Sequence, residues 1–319
     1  MSSQQSKPDR KRDTGFLHLF VVSLQYILPH HFISRLIFIM TRWQMPLVPW
    51  AIRQFVKVFK VNMDEAVESD PRAYRSFNAF FTRALKLELR PIPTCVPGET
   101  MLISPVDGRI SQLGDIQNDR IFQAKGQWYS AVELLGGDLD RAQPFLGGKF
   151  MTIYLSPRDY HRIHMPCDGR LKEMVHVPGR LFSVSPLTVT TVPRVFARNE
   201  RVVTIFETEK GLLAIVLVGA INVAAIETVW SGLVTPPRGR EISCRKYGAE
   251  TGIEVNLKQG QEMGRFNMGS TVILLTQPGV AWDSKWNAND PVRLFEKLGV
   301  YNDVTASEQK DPPDIWISR

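Results

Sequence analysis

Residues 263–275 read M-G-R-F-N-M-G-S-T-V-I-L-L and join a turn to a run of β-branched and aliphatic side chains. Turn-forming residues occupy Asn267–Ser270, and Thr271–Leu275 has the composition of a buried β-strand. Gly269 leaves its carbonyl unshielded by a side chain, and Ser270 places a hydroxyl one peptide bond away. With a base beside it, that hydroxyl could attack the carbonyl, since a positioned nucleophile reacts at very high effective molarity. Taken alone, these residues are more simply interpreted as a turn before a strand.

The composition is that of a folded globular protein with an uneven distribution of charge. The chain has 319 residues, 44% hydrophobic and 22% charged, which is enough for one large domain or two ordinary ones. The net charge of +7 lies within residues 1–60, and the remainder balances. We expect residues 1–13 to form a disordered basic tail. Three widely spaced cysteines, Cys95, Cys167 and Cys244, fit a reducing compartment and argue against both a disulfide framework and a zinc site.

The N-terminal region combines apolar segments with basic flanks. Residues 14–34 contain no charged side chain, but their apolar part, Phe16–Leu28, is too short to cross a bilayer, and no signal-peptidase site follows it. Two helical stripes come next, Ile33, Leu36, Ile37 and Met40, then Ile52, Phe55, Val56 and Phe59. With Trp43 and Trp50 beside them, they are typical of helices lying in the interface of an anionic membrane.

Two other interpretations of these helices remain open. The stripes could instead pack on the protein's own core or on a second subunit. Nucleic acid is not expected as a partner, because the basic residues alternate with aliphatic runs and no binding motif appears.

The rest of the chain changes from a helical pattern to a β pattern. Residues 62–89 are predicted to be helical, and three prolines between residues 91 and 97 mark a linker. Seven β-rich runs follow, Met101–Ser104, Arg109–Leu113, Phe150–Leu155, Val202–Glu207, Leu212–Val218, Ala224–Trp230 and Thr271–Thr276. The fold class is therefore α+β, with N-terminal amphipathic membrane-associated helices and a mainly antiparallel β catalytic core. We expect a helical region over residues 14–90 and a catalytic domain over 91–319, whose part beyond Gln277 has no readable pattern.

Residues 155–169, L-S-P-R-D-Y-H-R-I-H-M-P-C-D-G, contain two histidines three positions apart. On a helical turn His161 and His164 would reach one site, and the prolines at 157 and 166 favour a turn or a one-turn helix. The simpler alternative is one surface histidine and one buried structural histidine. A metal site is not expected, because no further ligand lies at zinc-like spacing.

Asp107 lies in the stretch S-P-V-D-G-R, residues 104–109, which is a turn pattern. In a catalytic interpretation its carboxylate orients a histidine, and the histidine activates Ser270. The same three residue types would fit a membrane-associated serine hydrolase, although no G-x-S-x-G motif surrounds Ser270. A third possibility is a non-enzymatic β module anchored by the N-terminal helices.

Taken together, the three stretches closely resemble the bacterial phosphatidylserine decarboxylase family. The resemblance rests on S-P-V-D-G, S-P-R-D-Y-H-R-I-H-M-P and G-S-T before a β run, and it extends from about residue 15 to 276. Supporting segments lie at residues 23–29, 196–201, 227–230 and 260–266. One position departs from the family pattern, since Met268 stands where the cleavage motif usually has leucine. The two side chains have similar volumes, so we expect the change to be tolerated.

The resemblance implies a pyruvoyl-dependent proenzyme that cuts itself between residues 269 and 270. In family terms His164, oriented by Asp107, activates Ser270 to attack the carbonyl of Gly269, which yields a 269-residue β chain and a 50-residue α chain. Ser270 becomes a covalent pyruvoyl group, which forms a Schiff base with phosphatidylserine and gives phosphatidylethanolamine after loss of CO2. His161 belongs to the decarboxylation step. The resemblance further implies a homodimer bound peripherally to the cytoplasmic face of the cell membrane.

Overall fold

The computed structural model describes residues 22–96, 98–221, 225–235, 241–267 and 269–302. The tail predicted for residues 1–13 lies outside these ranges, as does most of the uncharged stretch that begins at residue 14. Within the described residues, no helix is both long and apolar enough to cross a membrane.

Short helices occupy the N-terminal region and the loops of the β core. Residues 22–27 are helical. The following α-helices are α1 (His30–Arg42), α2 (Val48–Phe59), α3 (Phe77–Phe81), α4 (Ala131–Leu134), α5 (Leu139–Ala142), α6 (Pro186–Val189) and α7 (Val195–Arg198). Single 3₁₀ turns lie at Pro71–Ala73, Leu87–Leu89, Gln143–Phe145 and Ala249–Thr251.

The strands form an antiparallel core. In chain order they are β1 (Thr100–Ile103), β2 (Gly108–Asp115), β3 (Arg120–Ala124), β4 (Gln127–Ser130), β5 (Lys149–Leu155), β6 (Arg162–His164), β7 (Gly169–Val177), β8 (Arg201–Thr208), β9 (Gly211–Val218), β10 (Ile226–Thr228), β11 (Gly232–Leu233), β12 (Ser243–Lys246), β13 (Asn256–Leu257), β14 (Glu262–Phe266), β15 (Ser270–Thr276), β16 (Val280–Trp282), β17 (Pro291–Val292) and β18 (Lys297–Tyr301). The largest sheet has the order β12-β7-β8-β9-β15-β5-β2-β17, with β13 beside β7. Smaller sheets are β1-β18-β16 and β11-β10-β14-β6, and β3 pairs with β4.

Strand β15 lies near the middle of the largest sheet. It pairs with β5 over its whole length and with β9 from Thr271 onward. All seven of its residues are buried, and the side chains from Val272 to Leu275 are fully buried. The α+β fold class is confirmed, and each of the seven predicted β runs contains a strand, although Ala224 itself lies outside the described residues.

The helix predicted over residues 62–89 is wrong except at α3. Pro71 cannot continue a helix, and the Asp70 side chain accepts a hydrogen bond from the Arg72 amide to start a 3₁₀ turn instead. The backbone groups on either side pair across the segment, with an isolated bridge between Ala66 and Leu85. Long-range pairing thus replaces the local hydrogen bonds that a helix would use.

The region beyond Gln277 had no readable pattern in the sequence, and its described part, up to residue 302, contains three strands. Strand β18 pairs with both β1 and β16, and β17 pairs with β2. The indole of Trp282 donates a hydrogen bond to the Phe150 carbonyl (3.1 Å), which ties this region to β5. The last part of the described chain therefore supplies strands to sheets that also contain strands from the earlier part.

The two amphipathic helices pack on the core in different ways. In α2, Ile52 is fully buried and the Phe55 ring packs edge-on against Phe77 (5.1 Å between centroids), so this stripe does pack on the protein's own core. In α1 the polar side chains of His30 and Thr41 are buried, which shows that this helix packs on the core through a polar side. Its exposed apolar side chains include Leu36 (47% exposed), Ile39 (62%) and Met40 (58%), whereas Ile33 and Ile37 are half-buried.

The central position of β15 yields a prediction about stability. Leu274→Ala removes a fully buried side chain, and the cavity it leaves should lower the free energy of unfolding by about 2–5 kcal/mol. The matched control is Leu139→Ala at the start of α5, where the side chain is 71% exposed and the change should stay within about 0.5 kcal/mol. Urea unfolding followed by tryptophan fluorescence measures both. Equal losses in the two variants would contradict the central role of β15.

Candidate active site

Ser270 is the first residue of β15 and faces Leu155 of β5. It is fully buried, and its Oγ has no hydrogen-bond partner among the described residues. A buried hydroxyl without a partner costs free energy, and such groups are rare in folded proteins. The preceding Gly269 lines a cavity of about 140 Å³ together with aromatic residues that include Phe81 and Tyr154. The structure thus places an unpaired hydroxyl next to a residue that lines a small cavity.

His161 is fully buried, and one of its ring nitrogens has no partner within the described residues. Its Nδ1 lies 2.8 Å from the Asp159 carbonyl, and because a carbonyl only accepts, Nδ1 carries the proton. The lone pair is therefore on Nε2, which has no partner among the described residues. Burial lowers the pKa of His161 to about 3, so the ring is neutral at pH 7. The Phe81 ring packs against it, with 4.1 Å between centroids.

His164 is also buried, but both of its ring nitrogens are occupied. Nδ1 donates to the Gly260 carbonyl (2.7 Å), so Nε2 accepts from the Tyr160 hydroxyl (2.9 Å). Burial lowers the pKa of His164 and raises that of Tyr160, which keeps the imidazole neutral and the phenol protonated. The ring also lies edge-on to Phe295.

Asp107 occupies the predicted turn between β1 and β2. Its carboxylate accepts hydrogen bonds from the Leu294 amide (2.7 Å) and from Arg90 Nη2 (3.2 Å). The His164 amide donates to the Pro105 carbonyl in the same turn, so the two segments are adjacent. In the part of the chain that the structure describes, however, no hydrogen bond joins the Asp107 carboxylate to the His164 ring. Its role as the orienting carboxylate stays a prediction.

The helical turn expected around the two histidines is wrong. His164 ends strand β6, whose residues pair with β14, and Glu262 lies opposite His164. This long-range pairing holds the segment extended, so the rings have different surroundings: His161 packs on Phe81, and His164 packs on Phe295. The turn expected at residue 157 is present, closed by a hydrogen bond from the Asp159 amide to the Ser156 carbonyl.

The turn before Ser270 is held by residues that the sequence did not single out as site residues. Asn267 is fully buried and donates through Nδ2 to Glu227 Oε1 (2.9 Å). The same oxygen accepts from Nη2 of Arg42, at the end of α1 (3.2 Å). Glu227 was visible only as the first residue of the E-T-V-W segment that supports the family resemblance. Met268 lies outside the described residues.

A second cleft, of about 290 Å³, lies beside Asp107 and Tyr160. Arg83 also lines it and donates through Nη2 to the Arg158 carbonyl (3.1 Å). Arg83 and Tyr160 were likewise not predicted as site residues. Within the described residues, no group of three or more His, Cys, Asp or Glu side chains is arranged to hold a metal ion.

Comparison with known proteins gives consistent matches over most of the chain. The family model described as phosphatidylserine decarboxylase matches residues 77–300, and a second model, described as PSD, matches residues 20–60. A phosphatidylserine decarboxylase proenzyme of Bordetella petrii is 54% identical over 284 residues, which cover 88% of this chain and 97% of that protein. The proenzyme of the same name from Idiomarina loihiensis is 56% identical over 257 residues, covering 79% of this chain and 86% of that protein.

The matches span both the N-terminal helices and the β core, including Asp107, His161, His164 and Ser270. They agree with the resemblance drawn from the three motifs and give no support to a serine hydrolase. The chain belongs to the phosphatidylserine decarboxylase family.

Proposed function

We propose that this protein is a phosphatidylserine decarboxylase proenzyme that cuts itself between Gly269 and Ser270. Family membership supports the activity, and one structural observation supports the site: the buried Ser270 hydroxyl has no hydrogen-bond partner among the described residues and follows a residue that lines a cavity. In a stable inert turn this hydroxyl would be expected to have a hydrogen-bond partner. A serine that acts as a nucleophile only after its base has approached would lack a hydrogen-bond partner before that step.

Self-cleavage begins with attack of Ser270 Oγ on the Gly269 carbonyl carbon. The peptide C–N bond breaks, the Ser270 nitrogen takes up the proton that the hydroxyl lost to the base and becomes a free amine, and an ester joins the two parts of the chain. Loss of the Ser270 α-proton then expels the Gly269 carboxylate, and water replaces the nitrogen, which leaves as ammonia. The product is a pyruvoyl group at the start of β15.

His164 is the proposed base for this step. It is neutral, and its lone pair lies on Nε2, which at present accepts from Tyr160. Accepting the Ser270 proton requires the Tyr160 hydroxyl to release that nitrogen. Asp107 would then act electrostatically, stabilising the imidazolium from the adjacent turn.

Decarboxylation is the second step, and its proposed histidine is His161. A pyruvoyl carbonyl supplies the electron sink that this reaction needs and that ordinary side chains lack. The free Nε2 of His161 can accept a hydrogen bond from the substrate and hold the proton that returns to its α-carbon. Aromatic side chains around the cavity, Phe55, Phe59 and Phe81 among them, exclude water and favour loss of the substrate's carboxylate charge.

The N-terminal helices are proposed to lie on an anionic membrane surface. Apolar side chains that belong to them or flank them point outward, including Ile39, Trp43 and Trp50, with exposed basic residues nearby. Phe55 and Phe59 of α2 also line the cavity next to Gly269, so a lipid headgroup could enter it without leaving the bilayer. The cytoplasmic face and a homodimer are proposed on the family resemblance.

The first test concerns the origin of the two chains. Intact mass spectrometry of the purified protein should find a 269-residue and a 50-residue chain, with the smaller blocked to Edman sequencing. Ser270→Ala removes the nucleophile and should leave one 319-residue chain without decarboxylase activity. The matched control, Ser243→Ala on an exposed strand, should cleave normally. An active wild-type protein that stays in one piece and resists borohydride would contradict the proposal.

The second test separates the two histidines. His164→Ala should stay uncleaved, because the base for Ser270 is lost. His161→Ala should still cleave, yet release CO2 from phosphatidylserine about 10²–10⁴ times more slowly than wild type. Gel analysis and CO2 release measure the two steps separately, and each variant is the control for the other. The reverse pattern would overturn this division of roles.

The third test concerns the membrane. Ile39→Asp places a charge on the outward face of α1 and should reduce flotation with vesicles containing anionic lipid. Leu139→Asp adds the same charge at an exposed position in the loops of the β core and should float like wild type. Equal flotation of both variants would argue that α1 does not face the membrane.

A further inference from the structure

Arg83 is a buried guanidinium without a carboxylate partner. The residue is only 4% exposed, and no carboxylate of the described residues forms an ion pair with it. Its Nη2 donates to a backbone carbonyl, while Nε and Nη1 are buried without any hydrogen-bond partner in the described structure. Leaving a buried charge unpaired is costly, so such a group calls for an anion.

The other charges of the same cleft are paired or exposed. Arg90 binds Glu65 (2.6 Å) and Asp107 (3.2 Å), and Arg293 also binds Glu65. The Arg158 side chain is 57% exposed. The cleft is lined by five basic and three acidic residues, so it carries an excess of positive charge. Arg83 is the buried part of that excess.

Arg83 is also close in structure to the reacting groups. It lies two residues beyond Phe81, whose ring packs on His161, and its guanidinium lies 5.4 Å from the ring centre of Phe80. The positive charge of Arg83 helps to lower the pKa of His161, which is consistent with a short separation. Lys60, directly after α2, lines the same cleft, so the cleft borders the helix proposed to lie on the membrane.

From this geometry we propose that Arg83 binds the phosphodiester of the lipid headgroup. The inference rests on the proposed decarboxylase function and adds a residue that holds the substrate. A guanidinium presents several N–H groups to phosphate oxygens, and a phosphodiester keeps its charge throughout the reaction.

The substrate's carboxylate is the less suitable partner. Its negative charge disappears as CO2 leaves, so a cation bound to it would stabilise the ground state more than the transition state. The apolar cavity near Gly269 suits that group better, because burial without a partner destabilises a carboxylate.

Kinetics on mixed vesicles test the proposal, because the product phosphatidylethanolamine keeps the phosphodiester but lacks the carboxylate. In Arg83→Gln the two chains should form normally. The KM for phosphatidylserine in phosphatidylcholine vesicles and the inhibition constant of phosphatidylethanolamine should both rise by the same factor, about 10- to 100-fold. Arg75→Gln removes the same charge from an exposed position eight residues earlier and should change neither constant.

Several outcomes would overturn the proposal. A raised KM with an unchanged product constant would assign Arg83 to the carboxylate, and an unchanged KM would remove Arg83 from substrate binding. Millimolar inorganic phosphate is a further probe. If phosphate inhibits the wild type but not the variant, and the KM and product constant for the lipids are unchanged, Arg83 belongs to a free-phosphate site instead. Should Arg83→Gln fail to fold, Arg83→Lys keeps the charge, and its KM and product constant should still rise together. Failure of the proposed decarboxylase function can be distinguished from failure of the Arg83 proposal, because it would appear as a wild-type chain that is not cleaved.

Discussion

The fixed position of β15 is the constraint on which the other features depend. Its backbone is hydrogen-bonded on both sides, to β5 and β9, and its side chains are buried. Ser270, its first residue, is therefore held in place by a ladder that continues after it. A break in the chain immediately before Ser270 would leave the pairing of β15 with β5 and β9 from Thr271 onward in place. The segment beyond it also supplies β16, β17 and β18 to sheets whose other strands come earlier in the chain, so two separated chains would remain associated without a covalent link.

Burial also determines what the two histidines can do. Each donates Nδ1–H to a backbone carbonyl, which fixes the tautomer and leaves the lone pair on Nε2. Desolvation then lowers both pKa values, so both rings are neutral bases near pH 7. They differ in one respect. Nε2 of His164 accepts from Tyr160, whereas Nε2 of His161 has no hydrogen-bond partner in the part of the chain that the structure describes, and this difference supports separate roles in the proposed reactions.

The sequence alone predicted the strands whose pattern lies within a few consecutive residues. Runs such as Val202–Glu207 and Leu212–Val218 are long, apolar and bounded by turns, and they became the neighbours β8 and β9. The sequence did not predict the secondary structure of segments whose backbone pairing partners lie far away in the chain. Glu262 decides that His164 is extended rather than helical, and it is almost a hundred residues away. The bridge between Ala66 and Leu85 likewise stands where a helix was predicted over residues 62–89.

The same limit applies to the site. Ser270, His161, His164 and Asp107 were predicted as site residues because they belong to short motifs. Arg83 belongs to no motif that stands out, and its lack of a carboxylate partner among the described residues is visible only in the folded structure. A missing interaction leaves no pattern in a sequence.

Helix α1 links the surface proposed to face the membrane to the proposed cleavage site. Its polar side faces the core, where the Leu181 amide donates to His30 and Arg42 reaches Glu227. Glu227 is about a quarter exposed, so solvent screens this ion pair and its contribution to stability is small. Its importance is geometric, because the same carboxylate oxygen holds Asn267 in the turn before Ser270. A helix with exposed apolar side chains is thereby tied, through one carboxylate, to the turn before the proposed cleavage site.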